Sequence, residues 1–396
     1  MIDNIATRAT RAVIDLDAIA GNIRAFVDAV TPGTRVMAIV KANAYGHGAV
    51  AVSRAALDAG ASWLGVATVD EGIVLRRAGI LAPILVIGPI DPSEAPAAVG
   101  ARLALAIGDS EPLVALERAA ESTGAGPVEV HIKIDTGMRR FGVMPSDALA
   151  MAKRLIRSGA FRLGGVFTHF ARSDETDETP TRIQAQQFDE AVASITAAGI
   201  HPGIVHAANS AAALRSRRYD YDLVRIGIAL YGLPPSDEIG LWPGMRPALS
   251  IRSRIRRVFT LQPGDGVGYG ATYRASQAER VALVPIGYAD GYSRKHSNRS
   301  WMGLAGHRAP VAGRVCMDQT VVRVPDEVEV EPGSEIVVLG DGREGAPTAE
   351  DLARLAETNP YEVVTALAAR VPRWYVRNGD VVAVETLTER VICGKN

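Results

Sequence analysis

Apolar positions in the first 230 residues fall into two alternating patterns. Short runs rich in β-branched residues occur at 36–40, 84–87, 128–134, 163–168, 204–206 and 223–230. Between them lie Ala/Leu/Arg/Glu-rich stretches with helical spacing, at 50–59, 111–121, 149–157 and 181–198. Strands apolar on both faces that alternate with amphipathic helices predict a parallel sheet covered by helices. Seven or eight such units in this length fit a (β/α)8 TIM-type barrel, which takes about 250 residues. No G-x-G-x-x-G follows the first strand to suggest a dinucleotide fold.

The texture changes after Pro234-Pro235. Short runs at 250–260, 281–287, 309–315, 320–324, 335–339 and 381–385 are separated by turn signals such as Gln262-Pro263-Gly264-Asp265 and Gly340-Asp341-Gly342. These predict a mainly antiparallel β-domain, interrupted by one helix over 348–369. The expected division is a barrel over 1–240 and a C-terminal β-domain over 241–396.

Composition narrows the function class. Forty-three basic against forty-four acidic side chains, with no basic block, argue against a nucleic-acid binder. Two cysteines, Cys316 and Cys393, are too few for a disulfide framework or a thiolate metal site, and Cys316 reads as a small buried hydrophobe. His47 and His206 lack metal-ligand spacing and read as loop and core residues, so no metal is expected. No apolar stretch is long enough for a membrane span, and the start has neither a basic nor an apolar signal region. A cytoplasmic location is expected.

The sharpest local feature is Ala38-Ile39-Val40-Lys41-Ala42-Asn43-Ala44-Tyr45-Gly46-His47-Gly48. A lysine at the carboxyl end of an apolar strand stands where barrel active sites lie. On the pattern alone it is either a surface lysine capping the strand or a buried amine satisfied by imine formation.

This segment resembles the pyridoxal-phosphate (PLP) signature of the alanine racemases, the barrel-type class of PLP enzymes. Further blocks resemble the family in its order: Ile132-Lys133-Ile134-Asp135-Thr136-Gly137-Met138, Thr168-His169-Phe170, Asn209-Ser210, Val224-Arg225-Ile226-Gly227-Ile228, Gly268-Tyr269-Gly270, Gly287-Tyr288-Ala289-Asp290, Cys316-Met317-Asp318 and Arg370-Val371-Pro372-Arg373. They span nearly the whole chain.

The resemblance implies a racemase interconverting L- and D-alanine for peptidoglycan. Lys41 carries the cofactor and acts as base on one face of the substrate, and Tyr269 acts as base on the other. Arg225 and His169 form a chain with Tyr269. An arginine has no acceptor, so Arg225 can only donate to an unprotonated cofactor ring nitrogen. Ser210, Gly227, Ile228, Tyr45 and Tyr361 are implied phosphate contacts, with Asn209 aligning Ser210 or simply capping a helix. Arg140 and the backbone N–H of Met317 are implied to hold the substrate carboxylate. A carbamylated Lys133 is implied to hold Arg140. Asp174, Tyr288 and Arg294 line the implied entrance. A homodimer is implied, with each β-domain completing the partner's site.

Two departures stand out. Arg139 and Arg140 are adjacent where the family has one arginine; in a strand-like backbone only one would face the substrate, and the motif selects Arg140. Ser293 stands where proline is frequent. The competing readings are a broader racemase accepting serine, a barrel-type PLP decarboxylase, for which an acidic residue rather than Arg225 is expected at the ring nitrogen, and a PLP-carrier protein, which lacks a second domain.

Overall fold

A computed structural model describes residues 8–124 and 126–392; Cys393 lies outside them. The described residues form two compact units, one within 19–44 and 49–245, the other of 8–18, 45–48 and 246–392.

In the first unit, eight strands run parallel: β2 (Arg35–Ile39), β3 (Trp63–Val66), β4 (Ile84–Val86), β5 (Ala104–Ile107), β6 (Val128–Lys133), β7 (Phe161–Phe167), β8 (Ile204–His206) and β9 (Leu223–Ile226). Each is hydrogen-bonded to the next in the order 8-7-6-5-4-3-2-9. Asp222 N–H donates to Val205 O (3.0 Å) and Arg225 N–H to Ala208 O (3.0 Å), which joins the two ends of that order. The unit is a (β/α)8 barrel. β3, β4, β5 and β9 are buried throughout, as strands covered on both faces must be. β3 and β5 escaped the sequence pattern, because runs such as Ala104-Leu105-Ala106-Ile107 are as good helix formers as strand formers.

The second unit holds a mixed sheet. Its strands are β1 (Arg11–Asp15), β10 (Leu249–Arg254), β15 (Trp301–Leu304), β16 (His307–Pro310), β18 (Glu335–Leu339), β19 (Arg373–Arg377), β20 (Asp380–Glu385) and β21 (Arg390–Ile392), in the order 16-15-18-10-1-19-20-21. Only the β1–β19 pair is parallel. A three-stranded antiparallel sheet of β11 (Arg257–Leu261), β14 (Glu279–Val284) and β17 (Thr320–Arg323), and a hairpin of β12 (Gly266–Val267) and β13 (Tyr273–Arg274), complete it. The run expected at 250–260 is thus two strands, and the helix expected at 348–369 is two helices, Ala349–Ala356 and Pro360–Thr365. They break at Glu357, whose φ is 57°.

The expected barrel span of 1–240 needs two corrections. β1 alternates, with Ala12 and Ile14 fully buried, and it pairs with β10 and β19, so the chain's first strand belongs to the β unit. Residues 45–48 belong there too. Arg373 Nε donates to Gly46 O (2.8 Å), and a Cβ at Gly46 would stand 2.2 Å from Val364 O, a close approach only glycine permits.

Candidate active site

Most of the chemistry-bearing residues of the barrel lie at or beyond the carboxyl ends of its strands. Lys41 follows β2, Lys133 ends β6, His169 follows β7, Asn209 and Ser210 follow β8, and Arg225 lies in β9 with Gly227 and Ile228 after it. β2 and β9 are neighbours in register, Met37 opposite Arg225, so Lys41 and Arg225 project from adjacent strands.

Lys41 is followed by a left-handed turn: Ala42, Asn43, Ala44 and Tyr45 have φ of 51°, 53°, 53° and 50°. For residues with a Cβ this conformation costs about 1 kcal/mol or more each, and it persists only where the surroundings impose it. Glu71 supplies part of that constraint, accepting from Ala42 N–H (2.6 Å) and Ala67 N–H (2.8 Å). Asn43 Oδ1 accepts from Ala49 N–H (2.7 Å). Glu71 is a site residue the sequence did not reveal. Burial, then the charge of Arg140, lowers the Lys41 pKa, partly offset by Glu71.

Arg225 is 3% exposed and fastened on several sides. Nη2 donates to Thr168 O (2.8 Å) and Ala207 O (2.9 Å) and lies 3.2 Å from His169 Nδ1, while Nη1 lies 3.2 Å from His206 Nδ1. Burial pulls its pKa down to about 9, so it stays charged at neutral pH. Because a guanidinium only donates, His206 accepts at Nδ1 and carries its proton on Nε2, whereas His169 Nδ1 shares Nη2 with two carbonyls. Burial, followed by the Arg225 charge, holds His169 and His206 well below the ordinary histidine range. His206 therefore is a core residue, as its sequence suggested, but one bonded to Arg225. The His169 loop is fixed by Gln184, which donates to His169 O (3.2 Å) and accepts from Ala171 N–H (2.8 Å).

Lys133 is buried and donates to Phe141 O (2.8 Å). Burial, then Arg140 and Arg225, lowers its pKa to about 8, and Asp135 opposes the shift. Asp135 Oδ1 accepts from Gly137 and Arg139 N–H at 2.9 and 3.0 Å. The segment carrying the two arginines is not strand-like, since Arg139 has φ 54°, so strand alternation does not choose between them. The charge of Arg140 lowers the pKa of Lys41, Lys133 and His169, while Arg139 donates to Met144 Sδ (3.1 Å).

Asn209 caps the helix Ser210–Arg215, accepting from Ala212 N–H (3.0 Å), and also accepts from Ser173 Oγ (2.9 Å). The first of these bonds is the capping that the sequence offered as one reading of Asn209. Ser210 Oγ accepts from Gly227 N–H (2.9 Å), and Ala229 N–H lies 3.5 Å away. Asp174, in the loop after His169, has its carbonyl bonded by Ser236.

Tyr45, Tyr269, Tyr288, Arg294, Met317 and Tyr361 belong to the β unit. The rings of Tyr45 and Tyr361 are 6.2 Å apart. Burial raises the Tyr45 pKa to about 12, so its hydroxyl remains a donor. Tyr269 is 72% exposed, Met317 52% and Tyr288 42%. Their segments adjoin: Tyr288 N–H bonds Cys316 O (3.0 Å), Ala289 N–H bonds Met317 O (3.0 Å), and a Cβ at Gly270 would stand 3.3 Å from Arg314 Nη1. Arg370 joins two of the sequence blocks, bonding Asp290 and Asp318 at 2.7 Å each. Ser293 caps the turn Arg294–His296, accepting from Lys295 N–H (3.3 Å). Cys316 is partly exposed rather than buried.

The strand-end residues are those of a barrel enzyme, and Lys41, Lys133, Arg140 and Arg225 make the site strongly cationic. A model described as the alanine racemase N-terminal domain matches residues 14–235, and one described as the C-terminal domain matches 248–375. The alanine racemase of Symbiobacterium thermophilum is 45% identical over 371 residues, 93% of this chain and 97% of its own. That of Geobacillus stearothermophilus is 40% identical over 392 residues, 97% of each chain. The crystal structure of alanine racemase from Bacillus anthracis with bound L-Ala-P has a TM-score of 0.91 at 38% identity, covering 97% of this chain and 99% of that one. The chain belongs to the alanine racemase family and is an isomerase.

Proposed function

We propose that this protein is a PLP-dependent alanine racemase working with two bases, Lys41 and Tyr269, and that it supplies D-alanine for peptidoglycan in the cytoplasm. The observation that carries the reading is the charge of the site. Beyond burial, the charge of Arg140 lowers the pKa of both Lys41 and Lys133, Arg225 lowers that of Lys133 further, and among the described residues no carboxylate forms an ion pair with Arg225. Such a cluster calls for anionic ligands, and a phosphate plus an amino-acid carboxylate meets that demand.

The residues fit the cofactor. The Ser210 hydroxyl with the Gly227 and Ile228 backbone suits phosphate, as do the hydroxyls of Tyr45 and Tyr361, while Asn209 orients Ser210. Arg225, a donor without acceptor capacity, suits an unprotonated ring nitrogen. PLP, when bound, supplies the electron sink that makes an α-proton removable. Arg225 restrains that sink by leaving the nitrogen unprotonated, which favours return of the proton to the α-carbon.

Lys41 Nζ holds the cofactor and, once released, takes or returns a proton on one face of the substrate. Its depressed pKa favours the neutral amine that this requires. Tyr269 of the partner subunit does the same on the other face. His169, whose Nδ1 lies beside Arg225, stabilises the phenolate as a donor. Arg140 and the Met317 N–H orient the substrate carboxylate, and Asp174, Tyr288 and Arg294 line the entrance. Lys133, with a pKa near 8, has an appreciable neutral fraction. Its amine adds to CO2, forming an N–C bond and releasing a proton, and the resulting carbamate anion pairs with Arg140. The β-domain beyond residue 240 completes the site of a second copy in a homodimer.

The test is purified protein with PLP and either enantiomer of alanine. Optical rotation decays to zero from both directions if the proposal holds; no decay with alanine overturns it.

A further inference from the structure

Three buried or half-buried side chains behind Arg225 have no role in the reaction described so far: Glu129 and His131 on β6 and His206 on β8. His206 Nδ1 lies 3.2 Å from Arg225 Nη1, and His206 Nε2 lies 3.0 Å from His131 Nδ1. His131 Nε2 lies 3.9 Å from Glu129 Oε1, an electrostatic approach longer than a hydrogen bond. Both imidazoles are completely buried, and His131 Nε2 makes no hydrogen bond.

Arg225 orders this series. It can only donate, so His206 Nδ1 accepts and the His206 proton sits on Nε2. That N–H donates to His131 Nδ1, which puts the His131 proton on Nε2, on the side of the Glu129 carboxylate. One obligate donor thus sets two tautomers, with a cation at one end and an anion at the other. Glu129 is itself held by Arg162 (2.6 Å), and Arg35 is the other charge acting on the two imidazoles.

The space is built for these groups. A Cβ on Gly164 would stand 2.5 Å from Glu129 Oε1, and one on Gly165 would stand 2.5 Å from His131 Nδ1. Phe167 stacks on His206 with centroids 4.7 Å apart and planes 8° from parallel, and Trp63 packs its edge at 5.4 Å from His131.

We propose that Glu129, His131 and His206 form a polarised relay that orients Arg225 and brings the Glu129 charge to bear on it, with Glu129 and His131 acting as positioning residues. Arg225 has no carboxylate partner of its own among the described residues; the relay provides one through two neutral rings. The consequence for the reaction rests on the reading that Arg225 faces the cofactor's ring nitrogen. A loosened Arg225 then holds that nitrogen less well, and transamination gains on racemisation.

The test uses the full-length protein with ¹⁵N-histidine, in the presence and absence of PLP, together with three variants. His131→Phe keeps a ring but removes the acceptor. His131→Asn keeps an acceptor one bond from Cγ, where Nδ1 stands. Glu129→Gln removes only the charge. In the wild type the His206 resonances should show a bare Nδ1 and a protonated Nε2 whether or not PLP is bound. His131→Phe should lower kcat about tenfold with KM unchanged, the cost of one buried N–H left without its acceptor, and raise the share of transamination. His131→Asn should recover to within about threefold of wild type. Glu129→Gln should shift the His206 Nε2 resonance and lower kcat by about two- to threefold, as befits a half-exposed charge.

A proton on His206 Nδ1 overturns the relay, as does equal kcat in the Phe and Asn variants or an unmoved His206 resonance in Glu129→Gln. If His131→Phe fails to fold, the wild-type tautomer and the Glu129→Gln shift decide. If the tautomers are as stated but borohydride fixes PLP to a lysine other than Lys41, the cofactor reading fails and the relay stands.

Discussion

The two units present their chemistry in opposite ways. In the barrel, Arg225 is bonded to two carbonyls and two imidazoles, Lys133 to a carbonyl, and Ser210 to a backbone N–H, all before any ligand is considered. In the β unit, Tyr269 stands largely in solvent, and Tyr288 and Met317, on hydrogen-bonded segments, are about half exposed. The barrel's half of the proposed site is pre-ordered, at a cost in desolvated charge. The half proposed to come from the β unit is exposed in the single chain and, in that proposal, is covered by a second copy. Substitutions in the two halves therefore should fail differently, in stability for the first and in turnover alone for the second.

The largest effect is expected from Lys41→Ala. Racemisation should fall by roughly 10⁴-fold, since one group holds the cofactor and moves a proton. Borohydride reduction and peptide mapping should find PLP on the Lys41 peptide in wild type and nowhere in the variant. Tyr269→Phe should cost about 10²–10³-fold in kcat, while its melting temperature stays near the wild-type value because the ring is kept and only a hydroxyl is lost. A clear loss of stability in Tyr269→Phe would erase the contrast between the halves.

Arg225→Glu tests the ordered half. It should retain PLP but destabilise the fold by about 2–4 kcal/mol, because two carbonyls and two imidazoles lose a buried charged donor. A carboxylate keeps the ring nitrogen protonated, so racemisation should fall while pyruvate and aminated cofactor accumulate more per turnover. An unchanged ratio would refute the role given to Arg225.

Lys133 gives a smaller, pH-dependent effect. Its folded pKa, near 8, lies below the ordinary lysine value, so an unmodified Lys133 binds its proton more weakly in the fold than in the unfolded chain. The destabilisation is complete below pH 8 and is relieved as pH rises toward 10.5. In CO2-free buffer the melting temperature should climb across that window, and bicarbonate should flatten the climb. ¹³CO2 should give a carbamate carbon signal that is absent from Lys133→Ala.

Much of this was readable before the structure because a barrel puts its reactive residues at strand ends. Lys41, Lys133, His169 and Arg225 each end or closely follow an apolar run, or lie within one, so periodicity and chemistry pointed to the same positions. The residues that were missed act across strands far apart in sequence. Glu71 reaches back to Ala42, and His131 meets His206 over 75 positions. A signal for His131 did exist: it lies two residues before Lys133 on one strand and so shares its face. β1 was hidden for a different reason. Its partners are β10 and β19, more than 200 residues away, and a five-residue alternation says nothing of which sheet will receive it.

The proposal's central point is that the barrel of one chain and the β unit of a second copy together form each site. Subunits carrying Lys41→Ala should be mixed with subunits carrying Tyr269→Phe and allowed to exchange. In a heterodimer one composite site receives both lesions and the other receives neither, and random one-to-one exchange makes heterodimers about half the time. Racemase activity per protomer should therefore return to roughly a quarter of wild type, by binomial counting over a symmetric dimer. No recovery, with subunit exchange demonstrated by mass, would mean that each site is built from a single chain.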